Sequence, residues 1–205
     1  MGVCAGWSRR LGLGLLMLAL LAGLAAPARA ATPRVSVDVD GADLSLVLKL
    51  VARQMGADVF LGAEVQGDVT LHVRDAPVHQ VLSGLLRPRG LSYRFLGNSL
   101  VVAREQALGA IPRDILSTRP GSPWRASLNY SRADLAWVVQ IIAREMGKTL
   151  VMGRAVSGKV TAVARDVPLE GALALILRLQ SPPYGYRLTR DTLVVDLPGE
   201  LPGRR

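Results

Sequence analysis

The chain repeats itself, and that limits what it can fold into. At a displacement of 91 positions Ala42-Asp43-Leu44 returns as Ala133-Asp134-Leu135, Ala52-Arg53 as Ala143-Arg144, Met55-Gly56 as Met146-Gly147, and Gly67 as Gly158. Further along, Val69-Thr70 returns as Val160-Thr161, Arg74-Asp75 as Arg165-Asp166 and Pro77 as Pro168. A two-residue insertion around Ser181-Pro182-Pro183 raises the displacement to 93, and then Tyr93-Arg94 matches Tyr186-Arg187 and Leu100-Val101-Val102 matches Leu193-Val194-Val195. Matches in one order over this length mean that one local structure is specified twice. The expected organisation is a first unit at 35–103, a linker at 104–125, a second unit at 126–196 and a tail at 197–205. The linker reading rests on Pro112, Pro120, Gly121, Ser122 and Pro123, with only Ile111, Ile115 and Leu116 as an apolar cluster. A short helix is expected within 112–117.

Within each unit the hydrophobic period changes in a fixed order. Val35, Val37 and Val39 alternate with polar residues, as do Ala126, Leu128 and Tyr130, which predicts a half-buried strand. Asp40-Gly41-Ala42-Asp43 and Ser131-Arg132-Ala133-Asp134 place a capping side chain three residues before a carboxylate, a capping-box-like helix start. Leu44, Val47, Leu48 and Val51, echoed by Leu135, Val138, Val139 and Ile142, give a helical stripe that Gly56 and Gly147 terminate. Strands are expected at 58–61 and 68–74, and at 149–152 and 159–165. Pro77 and Pro168 suit the first position of a second helix, which Pro88 or Pro182 stops. Closing hairpins turn at Gly97-Asn98 and Arg190-Asp191. The fold class is α+β, with the order strand, helix, strand, strand, helix, strand, strand twice over.

Arg9 and Arg10 precede an apolar run from Leu11 to Ala26, and Pro27-Ala28-Arg29-Ala30 offers a small-x-small cleavage pattern. This predicts a signal peptide at 1–30, since a run of sixteen apolar residues is shorter than the roughly 20 that span a bilayer. A retained anchor is the alternative. The only cysteine, Cys4, precedes the run, so neither a lipid anchor behind it nor a disulfide in the processed chain is expected. The leader carries three arginines and no acid, which takes the formal charge from +9 to +6. The processed protein is expected in the periplasm, without an integral membrane segment and in association with the outer membrane.

The inventory of reactive groups is thin. His72 and His79 correspond to Val163 and Glu170 in the second unit, and two histidines without cysteine do not suit zinc. Asp43, Asp134, Asp75 and Asp166 read as helix-start carboxylates. No phosphate loop, nucleophile elbow or metal-binding doublet occurs. Neither enzymatic activity nor a cofactor is therefore expected. Aromatic residues make up 4% of the chain and the arginines are dispersed, which disfavours base-stacking platforms and hence nucleic acid.

The combination of Ala42-Asp43-Leu44-x-x-Val47-Leu48, Met55-Gly56, Val65-x-Gly67-x-Val69-Thr70, Arg74-Asp75-Ala76-Pro77-Val78-x-x-Val81-Leu82, Leu91-x-Tyr93 and Leu100-Val101-Val102 resembles the short N-terminal module shared by secretins and signalling TonB-dependent receptors. The second unit carries the same pattern through Val156-x-Gly158-x-Val160-Thr161 and Val167-Pro168-Leu169-Glu170-x-Ala172-Leu173. The resemblance implies two helices sandwiched between small sheets and a non-catalytic protein-interaction role. Its expected partner is an envelope protein: a secretin, an inner-membrane assembly component or an anti-sigma regulator. Nothing after Leu197 reads as a barrel or gate, which makes the expected role that of an accessory or adaptor in type IV pilus or type II secretion assembly. Signalling to an anti-sigma regulator in TonB-dependent uptake, or binding of peptidoglycan or a small ligand, are the alternatives. Short edge strands can accept a partner's extended segment. Val35, Val37 and Val39, with Ala126, Leu128 and Tyr130, are therefore candidate partner-binding positions. Trp124 and Trp137 join them as aromatic candidates, Trp124 as an exposed one, whereas Trp137 is expected to be half-buried on its helix.

Overall fold

The protein is seen here in a computed structural model that describes residues 33–117 and 124–201. The predicted signal peptide lies outside the described residues. The first half runs β1 (Arg34–Asp43), α1 (Leu44–Gln54), β2 (Asp58–Leu61), β3 (Asp68–Pro77), α2 (Val78–Leu86), a 3-10 turn at Arg87–Arg89, β4 (Leu91–Leu96) and β5 (Ser99–Arg104). After α3 (Glu105–Gly109) the second half runs β6 (Arg125–Asp134), α4 (Leu135–Glu145), β7 (Thr149–Met152), β8 (Lys159–Pro168), α5 (Leu169–Arg178), β9 (Gly185–Leu188) and β10 (Thr192–Asp196). The fold class is α+β, and the expected element order occurs twice.

The helix starts differ from the capping-box reading. Asp43 and Asp134 are themselves the N-caps: Asp43 Oδ1 accepts the Ser45 N–H at 2.8 Å, and Asp134 Oδ1 accepts the Ala136 N–H at 3.0 Å. Asp40 and Ser131 lie in strands that continue through an irregularity in register, between Val39 and Ala42 in β1 and between Tyr130 and Ala133 in β6. An aspartate can act alone as a cap because its carboxylate reaches the free N–H groups of the first turn. Pro77 and Pro168 also stand one position earlier than expected, as N-caps of α2 and α5. Gly56 and Gly147 adopt left-handed φ values of 66° and 63° just past α1 and α4, a conformation costly for residues with a Cβ. α5 ends at Arg178, ahead of Pro182, and α2 ends at Leu86 with Pro88 inside the following 3-10 turn.

Pairing of strands joins the two halves. β1 and β3 form an antiparallel two-stranded sheet, and β7-β10-β9 form a three-stranded one. The third sheet has the order β4-β5-β2-β8-β6, so β2 of the first half pairs directly with β8 of the second. That antiparallel joint sets Val59 opposite Val163, Phe60 opposite Ala162 and Leu61 opposite Thr161. Strand alternation then sends neighbouring β2 side chains to opposite faces. Val59 and Leu61 enter a first core with Leu44, Leu48, Leu82 and Leu86, while Phe60 enters a second with Leu135, Ile142, Leu173 and Ile176. Phe60 is fully buried there, against a core built largely by the other half. Residues from Pro33 onward accordingly form one compact unit.

Polar contacts reinforce the joint. The Arg165 N–H donates to Asp58 Oδ1 at 3.0 Å, Arg132 Nη2 lies 3.1 Å from Asp43 Oδ2, and Lys49 Nζ donates to Ser131 Oγ at 2.8 Å. Residues 104–117 also take part in packing. Leu108 and Ile111 are buried in the second core, Ile115 and Leu116 pack against it, and Arg178 Nη1 donates to the Ala110 carbonyl at 2.7 Å. The helix in this stretch is α3, ahead of the expected 112–117.

Candidate interaction surface

Among the described residues the predicted edge strands lie at the ends of their sheets: β1 pairs with β3 alone and β6 ends the five-stranded sheet. Their alternation directs the predicted side chains inward. Val35, Val37 and Leu128 are buried, and Val39, Ala126 and Tyr130 are half-buried against the two cores. What these strands expose is backbone and the intervening residues, Ser36 and Asp38 on β1, Ser127 and Asn129 on β6. An apolar side chain that alternates with polar ones holds the strand to its own core, so a partner on this edge would meet backbone and polar groups.

The tryptophans exchange their expected roles. Trp124 is half-buried against the second core, with Lys148 Nζ 5.1 Å from its ring centroid. Its carbonyl accepts the first N–H of α5, from Leu169 at 3.0 Å, which ties the residue to the fold. Trp137 instead is 52% exposed, standing edge-on to Tyr130 with centroids 5.8 Å apart. Burial, followed by the charge of Glu145, pushes the Tyr130 hydroxyl pKa up. The position equivalent to Trp137 in the first half is Leu46, which is 58% exposed, and Leu50 one turn further along α1 is also exposed. The sequence reading missed Leu46 and Leu50. Their signal was present: both fall off the buried stripe of α1, and the off-stripe position of Leu46 recurs at Trp137. Apolar residues that a helix does not bury are the kind that protein contacts use.

The polar groups form local pairs. Arg34 Nε bonds Asp75 Oδ1 and Arg125 Nε bonds Asp166 Oδ1, both at 2.8 Å, and Asp75 and Asp166 share a φ of 49°. These carboxylates therefore close the strand pairs β1–β3 and β6–β8 and do not cap the helices that follow. The arginine beside Asp166 holds its carboxyl below the usual range. His72, on the outer face of β3, is clamped by Asp38 at Nδ1, 2.6 Å, and Asp40 at Nε2, 3.1 Å. The Asp38 hydrogen bond, then the Asp40 charge, raise its pKa above the ordinary histidine value. Because the carboxylates grip opposite ring nitrogens they do not converge on one point, and among the described residues no group of three or more His, Cys, Asp or Glu could hold a metal ion. A cleft of about 320 Å³ beside α3 gathers Glu64, Arg104, Gln106, Arg178 and Gln180. Among the described residues no helix is long and apolar enough to cross a membrane.

Residues 57–105, which hold β2 through β5, match the family described as the secretin and TonB N terminus short domain. The chain is also similar to the fimbrial assembly protein PilQ of Pseudomonas aeruginosa, 30% identical over 123 residues that make up 56% of this chain and 17% of PilQ. The type IV pilus biogenesis and competence protein PilQ of Neisseria meningitidis serogroup B is 26% identical over 83 residues, 40% of this chain and 11% of that protein. The chain thus spans under a fifth of the length of the relatives it matches. Among solved structures, the GspC–GspD complex of the type II secretion system from enterotoxigenic Escherichia coli aligns with 72% of this chain and 98% of that one, at 13% identity and a TM-score of 0.28.

Proposed function

We propose that this chain is a non-enzymatic protein-interaction module of the cell envelope, working in the periplasm beside an outer-membrane secretin and serving type IV pilus assembly ahead of type II secretion or TonB-dependent signalling. The observation that carries this reading is the family match across β2 to β5, supported by the likeness to PilQ of two organisms. The exposed apolar residues of α1 and α4, Leu46, Leu50 and Trp137, are the contact positions it favours, with Trp137 as the anchor, since tryptophan is enriched among the residues that carry most of the energy of protein contacts.

A photo-crosslinking amino acid placed at Leu46 or Trp137 in cells, followed by mass spectrometry, tests the reading. Capture of a secretin, with Trp137→Ala weakening it at least ~10-fold as hot-spot truncations do, is the expected outcome. Capture of an anti-sigma regulator would move the chain to the signalling branch. Sedimentation with purified peptidoglycan and no protein capture at either position would overturn the proposal.

A further inference from the structure

The internal joint uses one edge from each half and leaves the equivalent edges unused. By the 91-residue displacement, the second-half counterpart of β2 is β7 and the first-half counterpart of β8 is β3. β2 is flanked by β5 and β8, and β8 by β2 and β6; among the described residues β7 pairs only with β10, and β3 only with β1. The sides left open on β7 and β3 are the sides that meet inside the chain. Unpaired strand edges of this kind are templates for strand addition.

Side chains mark the same vacancy. Phe60, at the middle of the joint, is fully buried, whereas its counterpart Val151 on β7 is 51% exposed. Opposite Phe60, Ala162 is buried in the joint; its counterpart on β3, Leu71, is only half-buried, and the neighbouring Thr70 is exposed where Thr161 is buried. Thr149 stands where Asp58 accepts the Arg165 N–H, and its hydroxyl can accept the Arg74 N–H in the same way. We propose that a second copy of this chain docks by repeating the joint between molecules, with β7 of one copy pairing antiparallel with β3 of the next.

The internal register fixes the external one. Val59 opposite Val163 becomes Leu150 opposite His72, Phe60 opposite Ala162 becomes Val151 opposite Leu71, and Leu61 opposite Thr161 becomes Met152 opposite Thr70. Continuing the register brings Arg154 opposite Asp68. The contact joins two different surfaces, so a bound pair keeps one free β7 edge and one free β3 edge and the assembly grows head to tail until a ring closes. It needs no secretin.

The test has two arms on the full chain. In sedimentation equilibrium the average mass should rise with protein concentration beyond that of a dimer. Val151→Asp, at an exposed position, should stop growth by setting a carboxylate against Leu71 of the next copy, and the circular dichroism melt should stay near that of the parent. In the second arm, with Cys4 replaced by serine, a Val151→Cys chain mixed with a differently tagged Leu71→Cys chain should form a mixed disulfide-linked dimer. A Thr149→Cys chain mixed with the Leu71→Cys chain, two positions off register, should form at least ~10-fold less. A parent chain that stays monomeric up to about millimolar concentration would overturn the proposal, as would growth unaffected by Val151→Asp or equal cross-linking in and out of register.

Discussion

Replacing Phe60 by alanine probes the joint where its two cores meet. The side chain comes from the first half, is fully buried and packs in the second core. Loss of a buried phenylalanine with partial collapse of the space costs about 3–5 kcal/mol. In a folded unit of this size each kcal/mol lowers Tm by about 2–4 °C, so a loss of roughly 6–20 °C is expected. Val151→Ala, at the equivalent position, removes atoms that are already half in water and should cost less than ~1 kcal/mol. The assay is urea unfolding followed by both circular dichroism and tryptophan fluorescence. Trp7 falls in the predicted signal peptide and no tryptophan lies in 33–117, so in a chain lacking residues 1–30 fluorescence comes from Trp124 and Trp137 and reports the second half alone. If Phe60 couples the halves, Phe60→Ala shifts the fluorescence midpoint together with the dichroism midpoint. An unmoved fluorescence transition beside a shifted dichroism signal, or equal costs at 60 and 151, would refute the coupling.

Removing a cap should act locally: Asp43→Ala is expected to destabilise by about 0.5–2 kcal/mol in urea titrations, the usual effect of losing an N-cap carboxylate. The Ser45 side-chain hydrogen bond lowers the Asp43 pKa, so its contribution is present above the unfolded value near ~3.9 and is lost as pH falls through the lower folded value. His72 behaves oppositely. Its raised pKa gives a stabilising contribution that is fully present below the unfolded value near ~6.5 and lost as pH rises through the folded one. An NMR titration should find the His72 pKa above that of a free histidine and see it fall in Asp38→Asn. Gly171→Ala should destabilise by about 1–3 kcal/mol although alanine favours helices, because the new Cβ would sit 2.2 Å from the Ile115 carbonyl oxygen; a gain in Tm would contradict that close approach.

Much of the local fold could be read from the chain because each signal was local. The strand alternation at Val35, Val37 and Val39, the stripe at Leu135, Val138, Val139 and Ile142, and the glycines past α1 and α4 each act within a few residues, and each appears twice. The helix starts were displaced by three residues because Asp40 and Asp43 are both good capping residues, and the choice between them depends on strand pairing with β3, a long-range effect. The exposure of Trp124 was misread for a similar reason: what buries it is a core assembled from α4, α5 and β8, distant in sequence from the residue itself.

The joint was hidden by the reasoning that revealed the repeat. Matching the halves selects what they share, and a surface used in only one half is visible only where they differ. Phe60 faces a core while Val151 faces solvent, and Ala162 and Val163 stand where the first half has Leu71 and His72. Inside the chain a large ring stands opposite a small methyl; on the open edges the same register sets a valine opposite a leucine, a smaller apolar contact flanked by His72 and its two carboxylates. The same differences separate the β2–β8 contact within the chain from the proposed β7–β3 contact between chains. They imply that any external contact on those edges is weaker than the internal one, since it also lacks the tether that holds β2 next to β8.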